Sequence, residues 1–316
     1  MITRKINISF KWEWDLLRQT PRGLGVWGDS IFTVNSTLPN TDYWVVYDDI
    51  ETTETKLLSP QNTLLFTTEP TQVKSYPQEF VDQFSLVVTP RKDIIHDNIV
   101  QTATGLPWFT GRQRTRDGTY IFNSNIDSLN KQKLPLKTKC ASLICSDKIF
   151  TIGHQNRFDF ANRIKDAFGD SIDLFGRGIK EFNDKAKVLE PYDYHIVLEN
   201  CQEEDYWTEK LSDSYLNNCY PIYAGCPNIG RYFSNDMVSK IDVDNLDLSI
   251  NIIKSVLLSN VATTNRQSIQ RAKQLCLYKY NLFPIIHNIV STNSSFVDSN
   301  GGSLDQITLR PQNAFY

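Results

Sequence analysis

Short apolar runs separated by polar turns dominate the first third of the chain. Residues 1–10 alternate apolar and polar side chains, and the runs at 43–47 (YWVVY), 63–67 (TLLFT) and 84–89 (FSLVVT) are rich in β-branched and aromatic residues. Pro, Asn, Asp or Thr bounds each run, which is typical of buried strands. Helical patterns between some of these runs predict an irregular α/β domain over about the first 130 residues.

A more regular alternation follows the basic segment 130–139 (NKQKLPLKTK), which we interpret as a linker. Strands alternate there with helices, which predicts a parallel sheet whose ligands bind at the carboxyl ends of the strands. The predicted strands are 141–145, 171–175, 194–199 and 221–224; a loop is predicted at 153–157, and helices at 158–168, 208–217, 246–258, 261–277 and 279–290.

The pattern of strands and helices predicts a first domain at 1–135 and a second at 136–290. A tail at 291–316 is rich in Ser, Asn and Gly. The end of the tail can pack back on the first domain. Several enzyme classes and binding proteins share this alternation of strands and helices. It therefore predicts α/β architecture but does not decide the function.

Composition and charge narrow the function classes. With 33 Lys+Arg against 36 Asp+Glu, the net charge of −3 excludes a generic nucleic-acid backbone binder. The six cysteines lack zinc-type spacing, and the N-terminus lacks the apolar core of a signal peptide. No stretch approaches the ~18 apolar residues that span a bilayer. We therefore expect a cytoplasmic protein with reduced thiols and no transmembrane segment.

Residues 194–233 contain the most chemical information. A predicted strand ends at Glu199-Asn200, and an acidic loop leads to Thr208, which is suited to cap the next helix. That helix N-terminus would offer unpaired N–H groups and a partial positive charge to an anion. Lys210 lies in the first turn, where a cation opposes the helix dipole. We interpret this unfavourable position as a sign that a bound anion, such as a diphosphate, pairs with Lys210. The alternative is that Lys210 is simply solvated.

The same segment resembles the donor-site signature of the α1,3-fucosyltransferases, glycosyltransferase family 10. The shared elements are HIVLEN at 195–200, DYWTEK at 205–210 and PIYAGCP at 221–227, in the order and spacing of the family. Cys201 stands where the family usually has Ser or Thr, a change that we do not expect to affect the chemistry.

Elements outside that segment are also similar to the family. GHQNR at 153–157 resembles the loop whose Arg reaches the donor diphosphate, and FGRG at 175–178 resembles a glycine turn. FTTEP at 66–70 resembles the strand-end motif with the proposed catalytic carboxylate of the family. The resemblance implies a GT-B-type α/β fold: two Rossmann-like domains facing each other across a cleft, the first binding the acceptor and the second the donor.

The implied reaction is inverting transfer of L-fucose from GDP-β-L-fucose to an oligosaccharide hydroxyl, O3 of N-acetylglucosamine or glucose. Glu69 would be the catalytic base, because a Glu near its ordinary pKa of ~4.3 is ionised at neutral pH. Arg157 and Lys210 would neutralise the diphosphate, the former through two parallel hydrogen bonds. The other implied donor-binding residues are Asn200, Tyr206 and Glu209.

Each role has an ordinary alternative. Glu69 can be a strand-end Glu beside a proline, and Arg157 can pair with a surface acid. Glu209 can be a favourable acid in the first turn of a helix, and Asn200 can simply form the turn after its strand.

Metal and cofactor sites are not expected. Asp242-Val-Asp244 matches a metal-binding DxD pattern, but we interpret it and Asp48-Asp49 as strand-end turns. With Lys and Arg neutralising the diphosphate, the chemistry requires no divalent metal. The expected partners are GDP-fucose and a glycan acceptor; the sequence leaves the oligomeric state open, with a monomer as the default. The alternatives are another GDP-sugar or acceptor on the same fold, and a non-catalytic nucleotide- or glycan-binding relative.

Overall fold

The computed structural model describes residues 3–145, 152–293, 296 and 303–315, with residues 152–154 described by their backbone alone. The chain forms two compact units. The first unit comprises Met1–Pro107 and Tyr280–Tyr316, and the second comprises Trp108–Lys279. Each is built on a mainly parallel sheet. This confirms the predicted α/β class, with one mainly parallel sheet in each unit.

The helices and strands follow one another in three stretches of the chain. The first unit begins with β1 (Arg4–Ser9), β2 (Val26–Trp27), β3 (Ser30–Val34), β4 (Tyr43–Tyr47), β5 (Glu54–Leu58), β6 (Thr63–Phe66), α1 (Gln78–Val81), β7 (Leu86–Thr89) and β8 (Ile99–Gln101). The second unit contains β9 (Arg112–Arg114), β10 (Tyr120–Phe122), α2 (Ile126–Lys131), β11 (Lys139–Ile144), α3 (Ile152–Phe168), β12 (Ile172–Phe175), α4 (Lys185–Leu189), β13 (Tyr192–Leu198), α5 (Glu209–Leu216), β14 (Tyr220–Ala224), β15 (Ser239–Lys240), α6 (Leu246–Leu258), α7 (Val261–Thr264) and α8 (Arg266–Tyr278). The chain then returns to the first unit with α9 (Leu282–Thr292) and β16 (Asp305–Leu309).

The sheet of the first unit has the strand order β2-β3-β1-β4-β6-β7-β8, and only the β2–β3 pair is antiparallel. Its apolar strands are buried on both faces. In β4, Tyr43, Val45 and Tyr47 belong to one apolar cluster, and Trp44 and Val46 belong to the other. A continuous apolar run is what a parallel strand covered on both faces requires, and the four strands predicted from such runs and from the N-terminal alternation are confirmed.

Helix α9 covers one face of this sheet. Leu282, Phe283, Ile286 and Val290 of α9 lie in the same buried cluster as the residues of β1 and β4. The Phe283 ring meets Phe32 of β3 edge to face, with ring centroids 5.0 Å apart. Because α9 completes this core, the second boundary lies at 279/280 rather than at the predicted 290/291. The first lies at 107/108, where the sequence predicted 135/136.

The end of the tail also packs on the first unit. Strand β16 pairs antiparallel with β5, and Leu309 and Phe315 join the cluster on the second face of the sheet.

The sheet of the second unit is parallel throughout the described residues, in the order β12-β11-β13-β14-β15. Two predictions for this unit were wrong. Helix α3 begins at Ile152, so Arg157 lies in a helix and not in a loop, and the Gln155 side chain donates to Asp159 one turn on (2.8 Å). The helix predicted at 261–277 is divided into α7 and α8 at Asn265, which leaves helical geometry (φ −97°, ψ 20°).

Cysteines and membrane segments complete the description. The six cysteines all lie in the described part of the chain and are free thiols. None of the helices that the structure describes combines the length and apolar character needed to cross a membrane.

The buried Lys273 on α8 should make the stability of the protein depend on pH. Its side chain is 1% exposed, and its ammonium donates to the Gln132 side chain at 2.9 Å. Burial, with Lys137 nearby, lowers the pKa of Lys273 from 10.5 to about 8. Between pH 8 and 10.5 the unfolded chain holds a proton that the folded chain has lost, so stability should rise with pH there.

We therefore expect Lys273→Met to stabilise the protein at pH 7 by about 1–2 kcal/mol, the desolvation cost less one hydrogen bond. The gain should disappear near pH 10. Urea denaturation at both pH values measures it, with exposed Lys254→Met on α6 as the control. An equal effect at both pH values would contradict this account.

Candidate active site

The second unit contains a cavity of about 380 Å³, a volume typical of small-molecule sites. Its walls include residues 195–198 of β13, the N-terminus of α5 and the β9–β10 hairpin. Six basic side chains and two carboxylates are among the described lining residues, an excess that favours an anionic ligand. The basic residues are Arg112, Arg114, Arg157, Arg177, Lys185 and Lys210; the acids are Glu181 and Glu209.

A buried carboxylate fixes the start of α5. The Thr208 hydroxyl accepts from the Lys210 backbone N–H at 3.2 Å, which is the predicted N-cap. Glu199, at the end of β13, accepts from the Thr208 N–H at 2.9 Å and from its hydroxyl at 2.7 Å. The Glu199 side chain is 0% exposed. The first turn of α5 is therefore tied to the carboxyl end of the central strand.

Lys210 and Glu209 form an ion cluster on this first turn. The Lys210 ammonium lies 3.4 Å from Glu199 Oε2 and 3.7 Å from Glu209 Oε1, and it donates to the Thr208 hydroxyl at 3.1 Å. Burial acts to lower the pKa of Lys210, but Glu209 and Glu199 outweigh it and raise that pKa above its ordinary value. Burial acts to raise the pKa of Glu209, but Lys210 and Lys185 outweigh it, and the pKa falls below 4.5. Both groups are charged at neutral pH.

Arg157 reaches the same cavity from α3. Arg157 is 7% exposed, and its Nη1 donates a hydrogen bond to Asn200 Oδ1. Asn200 lies two residues beyond the end of β13. Because that amide holds the guanidinium, Arg157 is fixed by the strand end that also positions α5.

The structure brings together most of the predicted donor residues. Arg157, Glu209 and Lys210 line the cavity, and Asn200 is bonded to Arg157. Tyr206 is 5% exposed in the loop before α5, and it is not among the described lining residues. Glu69 belongs to the first unit, where it is half-buried three residues after β6.

Asp205, the first acid of the DYWTEK element, supports the loop that follows β14. It is 2% exposed and has a φ of 59°. Its carboxylate accepts from Arg231 Nη1 (2.8 Å), Asn228 Nδ2 (3.0 Å) and the Tyr232 hydroxyl (2.8 Å). Because three donors bind this buried carboxylate, we assign Asp205 a structural role.

Gly225, in the PIYAGCP element, leaves room for Glu199. A Cβ at this position would lie 2.5 Å from Glu199 Cγ and 2.5 Å from the Tyr223 hydroxyl oxygen. Gly225→Ala should displace Glu199 from Thr208 and destabilise the protein by about 1–3 kcal/mol. Urea denaturation measures this effect.

The matched control for that substitution is Gly230→Ala. Gly230 is exposed in the same connection between β14 and β15, within a short 3-10 helix (Ile229–Arg231), and a Cβ there meets no atom within 4 Å. We expect this variant to stay within about 0.5 kcal/mol of the wild-type stability. Equal behaviour of the two alanine variants would show that the close approach to Glu199 is unimportant.

Several cavity residues were not identified as functional from the sequence. Lys185 forms an ion pair of 2.9 Å with Asp213, which is 0% exposed and also accepts from the Thr110 N–H at 3.1 Å. His195 is buried beside the Ser142 hydroxyl (2.9 Å), and burial lowers its pKa to about 3, so it is neutral in the cavity wall. Of Lys185, Arg112, Arg114 and Arg177, only Arg177 had a signal in the sequence, its position between two glycines.

The two aspartate pairs that we did not interpret as metal sites lie in turns. The Asp244 N–H donates to Asp242 Oδ1 at 3.0 Å, which closes the turn after β15. Asp48 and Asp49 directly follow β4. The described part of the chain contains no group of three His, Cys, Asp or Glu residues placed to hold a metal ion.

Known proteins are similar to this chain mainly in the second unit. The family model described as "Glycosyltransferase family 10 (fucosyltransferase) C-term" matches residues 134–256. The alpha-(1,3)-fucosyltransferase FucT of Helicobacter pylori is 32% identical over 130 residues, 40% of this chain and 26% of that protein. A putative fucosyltransferase-like protein of Arabidopsis thaliana is 39% identical over 49 residues, 16% of this chain and 10% of that protein. The chain thus matches about a quarter or less of these curated relatives.

Solved structures extend the similarity over more of the chain at lower identity. An α1,3-fucosyltransferase structure with GDP has a TM-score of 0.49 at 15% identity, over 89% of this chain and 92% of that chain. A structure of an α1,3-fucosyltransferase with GDP-fucose has a TM-score of 0.47 at 16% identity, over 88% and 92%.

The family match includes the residues that form the α5 end of the cavity. Arg157, Glu199, Asn200, Glu209 and Lys210 all lie between positions 134 and 256. Their order and spacing also carry the resemblance drawn from the motifs. Residues 134–256 of this chain therefore match the C-terminal domain of glycosyltransferase family 10, the fucosyltransferase family.

Proposed function

We propose that this chain is an inverting glycosyltransferase that moves L-fucose from GDP-β-L-fucose to a hydroxyl of an oligosaccharide, O3 of an N-acetylglucosamine or glucose unit. The observation that carries this proposal is that Arg157 and Lys210, both in the family-matched segment, converge on one cationic cavity. A departing nucleoside diphosphate gains negative charge, and fixed cations stabilise that charge most where water is scarce.

In the proposed reaction the acceptor oxygen attacks the anomeric carbon from the face opposite the diphosphate. The new C–O bond forms as the bond to the β-phosphate oxygen breaks, and the electron pair leaves with GDP. Arg157 and Lys210 stabilise that charge, and the acceptor proton passes to the Glu69 carboxylate. The role of Glu69 requires that the first unit present it to the bound donor, which is part of the proposal.

The remaining residues have supporting roles in the proposal. Glu209 is ionised because Lys210 and Lys185 lower its pKa against the effect of burial, so it can accept from sugar or ribose hydroxyls or stabilise the oxocarbenium-like carbon. Asn200 orients Arg157, to which it is bonded. We keep Tyr206 as a proposed donor contact.

We further propose that transfer requires no divalent metal, because a guanidinium and an ammonium already line the cavity proposed for the diphosphate. That the protein is cytoplasmic, a monomer by default and without a nucleic-acid partner stays our prediction.

The test is acceptor-dependent release of GDP by the purified chain. With GDP-fucose and N-acetyllactosamine or lactose we expect GDP and a fucosylated product, at the same rate with and without EDTA. Use of GDP-mannose in place of GDP-fucose would reassign the donor. GDP binding without transfer to any acceptor on a glycan array would indicate a non-catalytic relative. Loss of turnover in EDTA, restored by Mg²⁺ or Mn²⁺, would overturn the metal-free mechanism.

A further inference from the structure

A buried carboxylate lies beneath the loop that carries Glu69. Asp48 follows β4, is 1% exposed and has a φ of 71°. Its Oδ1 accepts from the Thr68 hydroxyl at 2.9 Å and from the Tyr76 hydroxyl at 2.5 Å. Its Oδ2 accepts from the Lys74 ammonium at 2.7 Å. One side chain thus binds both arms of the loop, including the residue that precedes Glu69.

Tyr76 and Arg91 extend this network to the backbone on each side of Glu69. The Tyr76 hydroxyl accepts from the Thr68 N–H at 3.1 Å while it donates to Asp48. Arg91 is 4% exposed and donates to the carbonyl oxygens of Lys74 and of Glu69 itself, the latter at 3.4 Å. Burial raises the pKa of Tyr76 well above 10, so its hydroxyl keeps its proton.

The tail of the chain closes the other side of the turn. The Gln312 side chain donates to the Asp48 carbonyl oxygen at 3.2 Å, and the Gln312 N–H donates to Asp49 Oδ1 at 3.0 Å. The Asp48 backbone is therefore held while its carboxylate holds the loop.

A turn alone does not require this arrangement. Burying a carboxylate is unfavourable unless donors surround it, and a left-handed backbone strains an aspartate more than a glycine. Such a network is instead suited to fix the position of a loop, and the loop here contains the proposed base.

We propose that Asp48, acting through Thr68 and Tyr76, is a positioning residue for Glu69, an inference that rests on the proposed function, in which Glu69 is the base. Asp48 sets where the Glu69 carboxylate lies and takes no proton from the acceptor. A displacement of about 1 Å from reactive geometry lowers a rate by about 10²-fold.

The test is a double-mutant cycle on turnover. Asp48→Asn keeps the shape of the side chain but removes the charge that holds Lys74 and the loop. We expect it to lower kcat by about 10- to 100-fold with GDP affinity and KM for GDP-fucose unchanged. In a Glu69→Gln background the same substitution should cause no further loss, because there is no base left to position. Tyr76→Phe, a milder change that retains the ring, should behave in the same way with a smaller loss.

The outcomes separate this inference from the proposed function. Equal losses of kcat in both backgrounds, or none in either, would overturn the positioning role. A fully active Glu69→Gln enzyme would remove the base from the mechanism and the inference with it. An inactive Glu69→Gln enzyme beside a fully active Asp48→Asn enzyme would overturn the inference alone. Exposed Asp97→Asn in the same unit is the control.

Discussion

Lys210→Met should lower kcat/KM for GDP-fucose by about 10³-fold, because it removes one of two proposed cations that stabilise the leaving diphosphate. Methionine has nearly the length of lysine, so the cavity keeps its shape while the ammonium is lost. Since the diphosphate charge grows as the bond breaks, most of the effect should be on kcat, with a smaller loss of GDP affinity. Steady-state release of GDP measures the first quantity, and titration calorimetry with GDP measures the second.

Lys210→Met also changes the stability of the folded protein, so the experiment must separate that change from the effect on catalysis. Lys210 lies between Glu199, whose side chain is 0% exposed, and Glu209, so its removal leaves two carboxylates without that partner. Lys210→Arg keeps the charge and should restore stability more fully than turnover. Lys187→Met, at an exposed position of α4, is the control. A folded Lys210→Met enzyme with normal turnover would exclude this cavity as the diphosphate site.

Glu69→Gln should lower kcat by about 10²- to 10⁴-fold, the usual contribution of a general base. Glutamine preserves size and hydrogen bonding but cannot accept the proton of the acceptor. GDP affinity should be unchanged, because the proposed diphosphate contacts all lie in the second unit.

Calorimetry with GDP and steady-state kinetics on the same preparation test this expectation. Exposed Glu79→Gln on α1 is the matched control. Retained turnover in Glu69→Gln would make Glu69 an ordinary strand-end residue, whereas loss of both turnover and GDP binding would point to a general defect in folding.

The sequence predicts most accurately those elements whose own residues decide their structure. Strand β4 was predicted at its observed bounds, because a short run of β-branched and aromatic residues between polar turns is typical of a strand covered on both faces. Helix α6 was also predicted at its bounds, and in the structure the Asn245 side chain caps it by accepting from the Leu248 N–H. Thr208 was identified as the cap of α5 from its position alone.

Contacts between distant residues could not be predicted in this way. Lys185 and Asp213 are separated by 28 positions and have no shared pattern, yet they form an ion pair at the cavity. The β9–β10 hairpin has short strands without an apolar run. The start of α3 was missed because Gly153 and Asn156 are typical of loops, whereas a bond between Gln155 and Asp159 lies along the first turns of the helix.

The return of the chain to its first unit has a consequence for synthesis on the ribosome. The sheet strands of that unit end at Gln101, but the helix that covers one face, α9, begins only at Leu282. Residues 108–279 must be translated in between, which takes about 10–35 s at ordinary elongation rates. Throughout that interval Ile6, Ile8 and Phe32 lack their partners on α9. The nascent protein therefore exposes an apolar sheet face for many seconds, a substrate for chaperones, while the uninterrupted second unit can already fold.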